Sequence, residues 1–534
     1  MLKRVILLSG AVSSGKSTLS DGLRKRFKME HLKTKEIIRQ RFPASESERG
    51  ALQKLGEQLD RKTSGSWVRD EISKHLEENP KTELLLVDAV RIEEQVEAIR
   101  KAFGPKVFHI HLDAPDDILS TRYSERKQPD VKEFGSYSQV AKNRTEKRIN
   151  KLREVADAVI QTNRCTPDDV LVLAASNLNL YGLQHEKLVD VVIGGEYGSE
   201  GKGHIVSYLA REYDWLIRVG GPNAGHKVFQ DPKPYTHHQL PSGTLFSSAK
   251  LMIAPGSVLN VQTLLKEIND CHVDNSRLFI DPQVMVIDSK DIKKETKLVE
   301  AIGSTGQGVG AATARRIMGR DDAKLKLAGD INDLRPYIKP VGEILERAYS
   351  ARKRILLEGT QGTGLSLYHG SYPHVTSRDT TVSGCLSEAG IPPSRVRKIV
   401  MVCRSYPIRV ESPNDATSGP MSREISWEEV GRRSGIDPKE LESLEKTSTT
   451  HKRRRVGEFD WALLRKSSSI NGPTDIALSF ADYVSVKNTE ARRFEQLTRE
   501  TIRFTEEIEK VSGAPVSLIS TRFHWRSIID RRSW

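Results

Sequence analysis

Two glycine-rich loops, each entered from an apolar β-type run and left through a helical pattern, restrict this 534-residue chain more than any other feature. The first, 10-GAVSSGKST-18, follows RVILLS and precedes LSDGLRKRF. It fits G-x-x-x-x-G-K-[ST] in the order strand, loop, helix that a phosphate-cradling loop needs. The second, inside 191-VVIGGEYGSEGKGH-204, keeps the strand and a lysine but not that spacing. A strand that delivers a helix N-terminus to a phosphate belongs to a parallel α/β sheet, so two such loops imply two α/β domains. The length agrees, because a chain of this size exceeds one ordinary core.

In the first loop, Gly10 and Gly15 permit the tight wrap. Lys16 is expected on the β/γ-phosphates, and Ser17, next to Thr18, offers a hydroxyl to Mg²⁺. The run 83-ELLLVDAVR-91 reads as a second strand ending in Asp88, placed for a second contact to Mg²⁺ or its water. Arg91 just after it is a candidate for the acceptor's phosphate. A third strand, 106-KVFHIHLDAP-115, leads into a basic helix or lid, 122-RYSERKQPD-130. A last strand, VLVLAA at 170–175, closes a doubly wound parallel sheet. The expected division is 1–175, a polar connector at 176–187, and 188–534. The first region resembles small P-loop nucleoside and nucleotide kinases. That resemblance gives Arg122 and Arg126 the task of neutralising the transferring phosphoryl group, and leaves the acceptor open.

The net charge of +13 suits polyanionic partners, a need that nucleotide phosphates meet. No RRM, zinc-finger or helix-turn-helix pattern points to nucleic acid. No apolar run reaches the ~18 residues of a membrane helix, and VILLSG passes directly into the loop of a fold, unlike a signal peptide. Cys165, Cys271, Cys385 and Cys403 lack CxxC spacing, as expected of buried thiols in a reducing cytoplasm.

From residue 189 a set of motifs accumulates: 198-GSEGKG-203, 220-GGPNAGH-226, 240-LPSG-243, 303-GSTGQGVG-310, 358-EGTQGTGLSLYHGSYPHVTS-377, 448-STTHKRRRVGEFD-460, 470-INGPTDIALSFADYV-484 and 519-ISTR-522. With these, residues 188–534 resemble the adenylosuccinate synthetases in their compact form. The resemblance implies a second P-loop-related α/β domain and a two-step reaction. A nucleoside triphosphate phosphorylates the purine 6-oxygen, and the amine of L-aspartate then displaces phosphate. By the same resemblance, Gly201, Lys202, Gly203, Asp482 and Thr521 bind the triphosphate, and His226 donates toward the 6-oxygen and the β/γ-phosphate. Gln361 stands near that oxygen, and Asn223, Ser304, Thr305 and Thr376 meet the monophosphate. The Gly225 carbonyl meets Mg²⁺, and Thr449, Thr450, Lys452 and Arg454 form the aspartate loop. The family is homodimeric, with an arginine of the neighbouring subunit on the nucleotide; 315-RRIMGR-320 offers Arg316 or Arg320 for it.

The departures carry more information than the matches. Where the family has an aspartate that acts as base at purine N1 and as metal ligand, this chain has Ser199. Glu196 stands for a glutamine, His204 for a lysine, and Lys452 for an arginine that also touches the ribose 2′-hydroxyl. The guanine-reading TKLD of the donor site is 479-SFAD-482, with Phe480 in place of the lysine. One reading makes Ser199 the mark of a non-catalytic nucleotide sensor or defence protein. The other makes it a change of substrate, resembling the 2-aminoadenylosuccinate synthetases that act on dGMP rather than IMP. A short hydroxyl leaves room for a 2-amino group, Lys452 suits a deoxyribose, and SFAD suits ATP or dATP over GTP. Lys202, His226, Gln361, Thr449, Thr450 and Arg454 are retained together, which favours a working enzyme on a guanine monophosphate, with IMP and GTP as the alternative. The kinase-like domain would then supply the monophosphate or raise the product.

Overall fold

The computed structural model describes residues 2–42, 49–125, 137–141, 144–181, 186–322, 324–413, 416–446 and 453–534. The chain divides into two compact units, Met1–Tyr181 and Gly182–Trp534.

The first unit is built on a five-stranded parallel sheet. Its order is Glu30–Lys33, Leu84–Asp88, Arg4–Gly10, Val107–Asp113, Ala158–Gln161. The apolar run at its centre is continuous because both faces are covered. Val5 and Leu7 pack with Ile37, Trp67, Val68 and Ile72 on one side, while Ile6 and Leu8 pack with Leu19, Leu23 and Ala174 on the other. Each such fully buried side chain contributes roughly 1.5–3 kcal/mol.

The strand expected at VLVLAA is instead the middle of a helix, Pro167–Asn177. Local capping decides it. Thr166 accepts from the Asp169 backbone N–H, the Asp169 carboxylate accepts from the Thr166 N–H at 2.9 Å, and Pro167 takes the first helical position. Val170, Ala174 and Ala175 are buried while Val172 and Leu173 are exposed, a helical and not an alternating pattern. The last strand is Ala158–Gln161.

The second unit carries a nine-stranded sheet. From edge to edge it runs Leu278–Ile280, Lys250–Ile253, Trp215–Arg218, Ile355–Gly362, Val189–Gly194, Val396–Arg404, Asp475–Ser479, Val516–Ser520 and Ile528–Asp530. All neighbours are parallel except the last pair. Val189–Gly194 is central and buried throughout, with Val191 and Ile193 in one core and Val192 in the opposite one. The loops that follow the C-terminal ends of these strands converge on one edge, where ligands bind in open α/β sheets. No described helix is long and apolar enough to cross a membrane.

Candidate active sites

Both glycine-rich loops end the same way. Gly15 caps the helix Lys16–Phe27 at φ 97°, and Gly201 caps Lys202–Leu209 at φ 86°. Neither helix has a side-chain cap, so the first-turn N–H groups remain available to an anion.

In the first unit the loop lines a cavity of about 740 Å³ that also includes Asp88, Arg91 and Arg122. Gly15, Lys16, Ser17 and Thr18 lie on its wall. Lys16 Nζ donates to the carbonyls of Gly10 and Ala11 at 2.6 and 2.8 Å, poised over the loop. The Arg122 guanidinium is fixed by the Thr162 hydroxyl and carbonyl, both at 2.9 Å, at the end of the cavity formed by Cys165 and Pro167. Arg126 lies outside the described residues. The Ser17 hydroxyl and Asp88 carboxylate share this cavity, a donor set that fits Mg²⁺ brought by a triphosphate.

In the second unit a cavity of about 200 Å³ brings together Ser199, Lys202, Asn223, Gly225, His226, Ser304, Thr305, Gln361, Thr376 and Arg454. Residues from six separate stretches of sequence thus meet at one sheet edge. Glu200, in the same loop, is turned inward. It accepts from the N–H groups of Glu196 and Gly198 at 3.1 and 2.8 Å and holds Lys202 Nζ at 2.6 Å. Lys202 is buried, and the helix it begins passes so close to His226 that a Cβ on Gly203 would lie 3.0 Å from the His226 Cβ.

His226 is held by a partner that motif matching left without a role. Its Nδ1 lies 2.5 Å from Glu358 Oε1, and Glu358 also accepts from the Ser242 N–H at 2.8 Å and from the Ser242 hydroxyl. Burial alone would raise Glu358, but the His226 hydrogen bond and the Arg218 charge bring it down to about 2. It is therefore a carboxylate, Nδ1 carries the proton, and Nε2 remains for the cavity. Burial and the Arg218 cation keep the imidazole neutral, at about 4. Gln361, at φ 59°, has its Oε1 occupied by the Thr360 hydroxyl at 2.9 Å, and Thr360 in turn accepts from Arg378 at 3.0 Å. The Gln361 amide N–H, a donor suited to charge developing on an oxygen, is what remains.

Ser199, at φ 59°, accepts twice: Arg454 Nη2 reaches its Oγ at 3.3 Å, and Arg404 Nη1 its carbonyl at 3.2 Å. Among the described residues no carboxylate lines this cavity, and none of them form a group of three or more acidic, histidine or cysteine side chains able to hold a metal. Ser199 and Gly225 lie on the same cavity wall. Glu196 is buried beside Glu200, and both effects push its carboxyl well up.

Asp482 and Thr521 do not line this cavity; they follow the strands Asp475–Ser479 and Val516–Ser520. The Ser479 hydroxyl donates to the Glu200 carbonyl at 2.5 Å, and Phe480 packs under Gly201, so the loop and these strand ends are joined. Burial raises Asp482 to about 7, and its Oδ1 has no partner. Arg320 is exposed and outside the cavity, while Arg316 donates to the Pro255 carbonyl at 3.0 Å. Thr449, Thr450 and Lys452 lie outside the described residues. Glu358, Ser242 and Glu200 had been visible only as letters inside EGTQG, LPSG and GSEGKG. Arg218 and Arg404 carried no signal, because their roles arise from strands distant in sequence from their partners.

The sequence model for Adenylosuccinate synthetase matches residues 191–328 and 321–489, and that for an AAA domain matches residues 6–151. Adenylosuccinate synthetase of Pyrococcus sp. (strain ST700) is 37% identical over 350 residues, 64% of this chain and 98% of the relative. That of Methanocaldococcus jannaschii is 36% identical over 352 residues, 64% of this chain and 96% of the relative. Among solved structures, the succinoaminodeoxyadenylate synthetase of cyanophage S-2L, bound to dGMP and to dATP as an energy donor, superposes with a TM-score of 0.55. It is 26% identical and covers 65% of this chain and 96% of its own. Behind an N-terminal P-loop, kinase-like domain, this chain is a ligase that belongs to the adenylosuccinate synthetase family.

Proposed function

We propose that the second unit joins L-aspartate to carbon 6 of a guanine nucleotide monophosphate, dGMP in preference to IMP, at the expense of ATP or dATP. The observation that carries this reading is the cavity around Ser199, whose described lining holds no carboxylate. A hydroxyl already engaged by Arg454 leaves space beside N1 that an aspartate would fill, and a 2-amino group is what distinguishes guanine there. The likeness to the cyanophage enzyme, which is described with dGMP and dATP, supports it. Phe480 in place of a lysine supports an adenine-bearing donor.

In this reading Lys202 and the first-turn N–H groups after Gly201 bind the triphosphate, which carries its own Mg²⁺. Gln361 and His226 face the 6-oxygen, and Arg454 binds the aspartate carboxylate. Asn223, Ser304, Thr305 and Thr376 receive the monophosphate, joined by an arginine of the second subunit of a homodimer. The first unit phosphorylates a nucleoside or nucleotide, with Lys16 on the transferred phosphoryl group; Ser17 and Asp88 would hold Mg²⁺ and let it offset the phosphate charge. Four free thiols suit a cytoplasmic setting.

The second reading, IMP with GTP, is favoured by the archaeal adenylosuccinate synthetases at 36–37% identity. Purified protein incubated with aspartate, dGMP or IMP, and ATP or GTP separates the two. The expected result is an aspartate adduct from dGMP and a gain of IMP turnover in Ser199→Asp. An adduct from IMP alone in the unmodified protein overturns the guanine reading.

A further inference from the structure

Three donors close on a single buried carboxylate beside the ligase cavity. Glu445 Oε1 accepts from Arg404 Nη2 at 2.9 Å and from the Tyr483 hydroxyl at 2.8 Å, and Oε2 accepts from Arg454 Nη1 at 2.8 Å. Both arginines then continue to the same residue, Arg404 to the Ser199 carbonyl and Arg454 to the Ser199 hydroxyl. Glu445 is 4% exposed and Arg404 is fully buried. The Arg404 guanidinium also lies 4.1 Å from the centroid of Phe480, whose ring packs under Gly201. One carboxylate thus anchors two cations that approach Ser199 from different strands.

The electrostatics make Glu445 necessary to that arrangement. Two guanidiniums brought toward one serine repel each other, and no carboxylate among the described residues of the cavity wall offsets them. Remove the charge of Glu445 and the partially exposed Arg454 is free to swing to solvent, while Arg404 stays buried against Phe480. The hydroxyl is affected as well. While Ser199 Oγ accepts from Arg454, its own proton is directed elsewhere, so the group faces its surroundings as a donor. An aspartate at that position could only accept.

We propose that Glu445 is the positioning residue of the ligase site: it holds Arg404 and Arg454 on Ser199 and so ties the donor side of the loop, at Phe480, to the aspartate side, at Arg454. The two ligand names rest on the function proposed above; the choice of purine does not enter, because the assay uses whichever monophosphate the unmodified protein converts.

The test is steady-state kinetics of Glu445→Gln, which keeps the shape and removes the charge. The expected result is a KM for aspartate raised roughly tenfold or more, with the KM for the purine monophosphate within about twofold. Glu445→Asp, which keeps the charge, should recover part of that loss. Tyr483→Phe, which removes one donor and leaves the ion pairs, should shift the aspartate KM in the same direction by less, and it serves if Glu445→Gln fails to fold. In an Arg454→Ala background, Glu445→Gln, or Tyr483→Phe in its place, should add less than about threefold, since both changes act on one contact. An unchanged aspartate KM in both single variants overturns the proposal. So does an equal loss for all three substrates that is additive with Arg454→Ala, the signature of a purely structural role. An unmodified protein that turns over without aspartate overturns both this proposal and the ligand assignment beneath it, whereas unchanged variants of an aspartate-dependent protein overturn this one alone.

Discussion

Glu358 accepts the Nδ1 proton of His226 at 2.5 Å, from the strand that lies next to the central one. The carboxylate sets the tautomer, and the tautomer sets which nitrogen faces the cavity with its lone pair. In Glu358→Gln the amide no longer enforces that choice and no longer stabilises charge on the ring. The expected outcome is a kcat for aspartate ligation lower by roughly ten- to a hundredfold, as when a histidine loses its orienting carboxylate. The KM for the monophosphate should change little. Equal kcat in the variant and the unmodified protein contradicts the role.

Acid should unfold both units through their histidines. His109, His111, His204 and His226 are held at about 4, and His237 at about 3, in each case mainly by burial. The unfolded chain binds protons near pH 6.5 that the folded chain does not, so this stability is complete above pH 6.5 and is lost as pH falls toward 4. Each histidine accounts for on the order of 1–3 kcal/mol of the loss at the acid end. Glu358 adds to the loss below pH 4.5, down to about 2, whereas Glu196, pushed up by burial and by Glu200, works in the opposite direction. Urea midpoints at pH 7, 6 and 5 should fall in that order; a midpoint that rises on acidification refutes the account.

Gly362→Ala should damage the second loop from a distance in sequence. A Cβ there would lie 2.2 Å from Glu200 Oε1 and 2.4 Å from the Glu196 carbonyl. Glu200 is the group that holds Lys202 and the N–H of Gly198, so its displacement loosens the anion site. A stability loss of roughly 1–3 kcal/mol is expected, with a raised KM for the triphosphate. Gly342→Ala is the control: nothing lies within 4 Å of its Cβ, and it sits inside the helix Val341–Ser350. That change should stabilise by about 0.4–1 kcal/mol. Thermal unfolding of the two variants reads both signs.

The two anion sites should be separable. Lys16→Ala is expected to abolish phosphoryl transfer by the first unit and leave aspartate ligation intact, and Lys202→Ala the reverse, each by roughly a hundredfold or more. Product formation with and without aspartate measures both activities in one preparation. Loss of both activities in either variant would mean that the two sites are obligatorily coupled.

Much of this protein could be read from its letters, for identifiable reasons. A glycine-rich loop between an apolar run and a helix is a local device, so its fold and its ligand class follow from a dozen residues. The helix at 167–177 went the other way: VLVLAA has strand composition, and only the Thr166–Asp169 capping box and Pro167, read together, show that the backbone turns there. The capping letters were present in the sequence, but their weight against β-type composition became clear only from the hydrogen bonds.

Apolar runs, spacing and motif order determined two α/β units, each with a glycine-rich loop between a strand and a helix, and the family resemblance singled out Ser199 as a departure. What only the tertiary structure decided is which charges stand together. Glu358 on His226, Glu200 on Lys202 and Glu445 between Arg404 and Arg454 pair residues from 2 to 132 positions apart. Sequence separation carries no information about such pairs. They form because a buried charge far from water needs a counter-charge, and the crossing strands of the sheet determine which one is within reach.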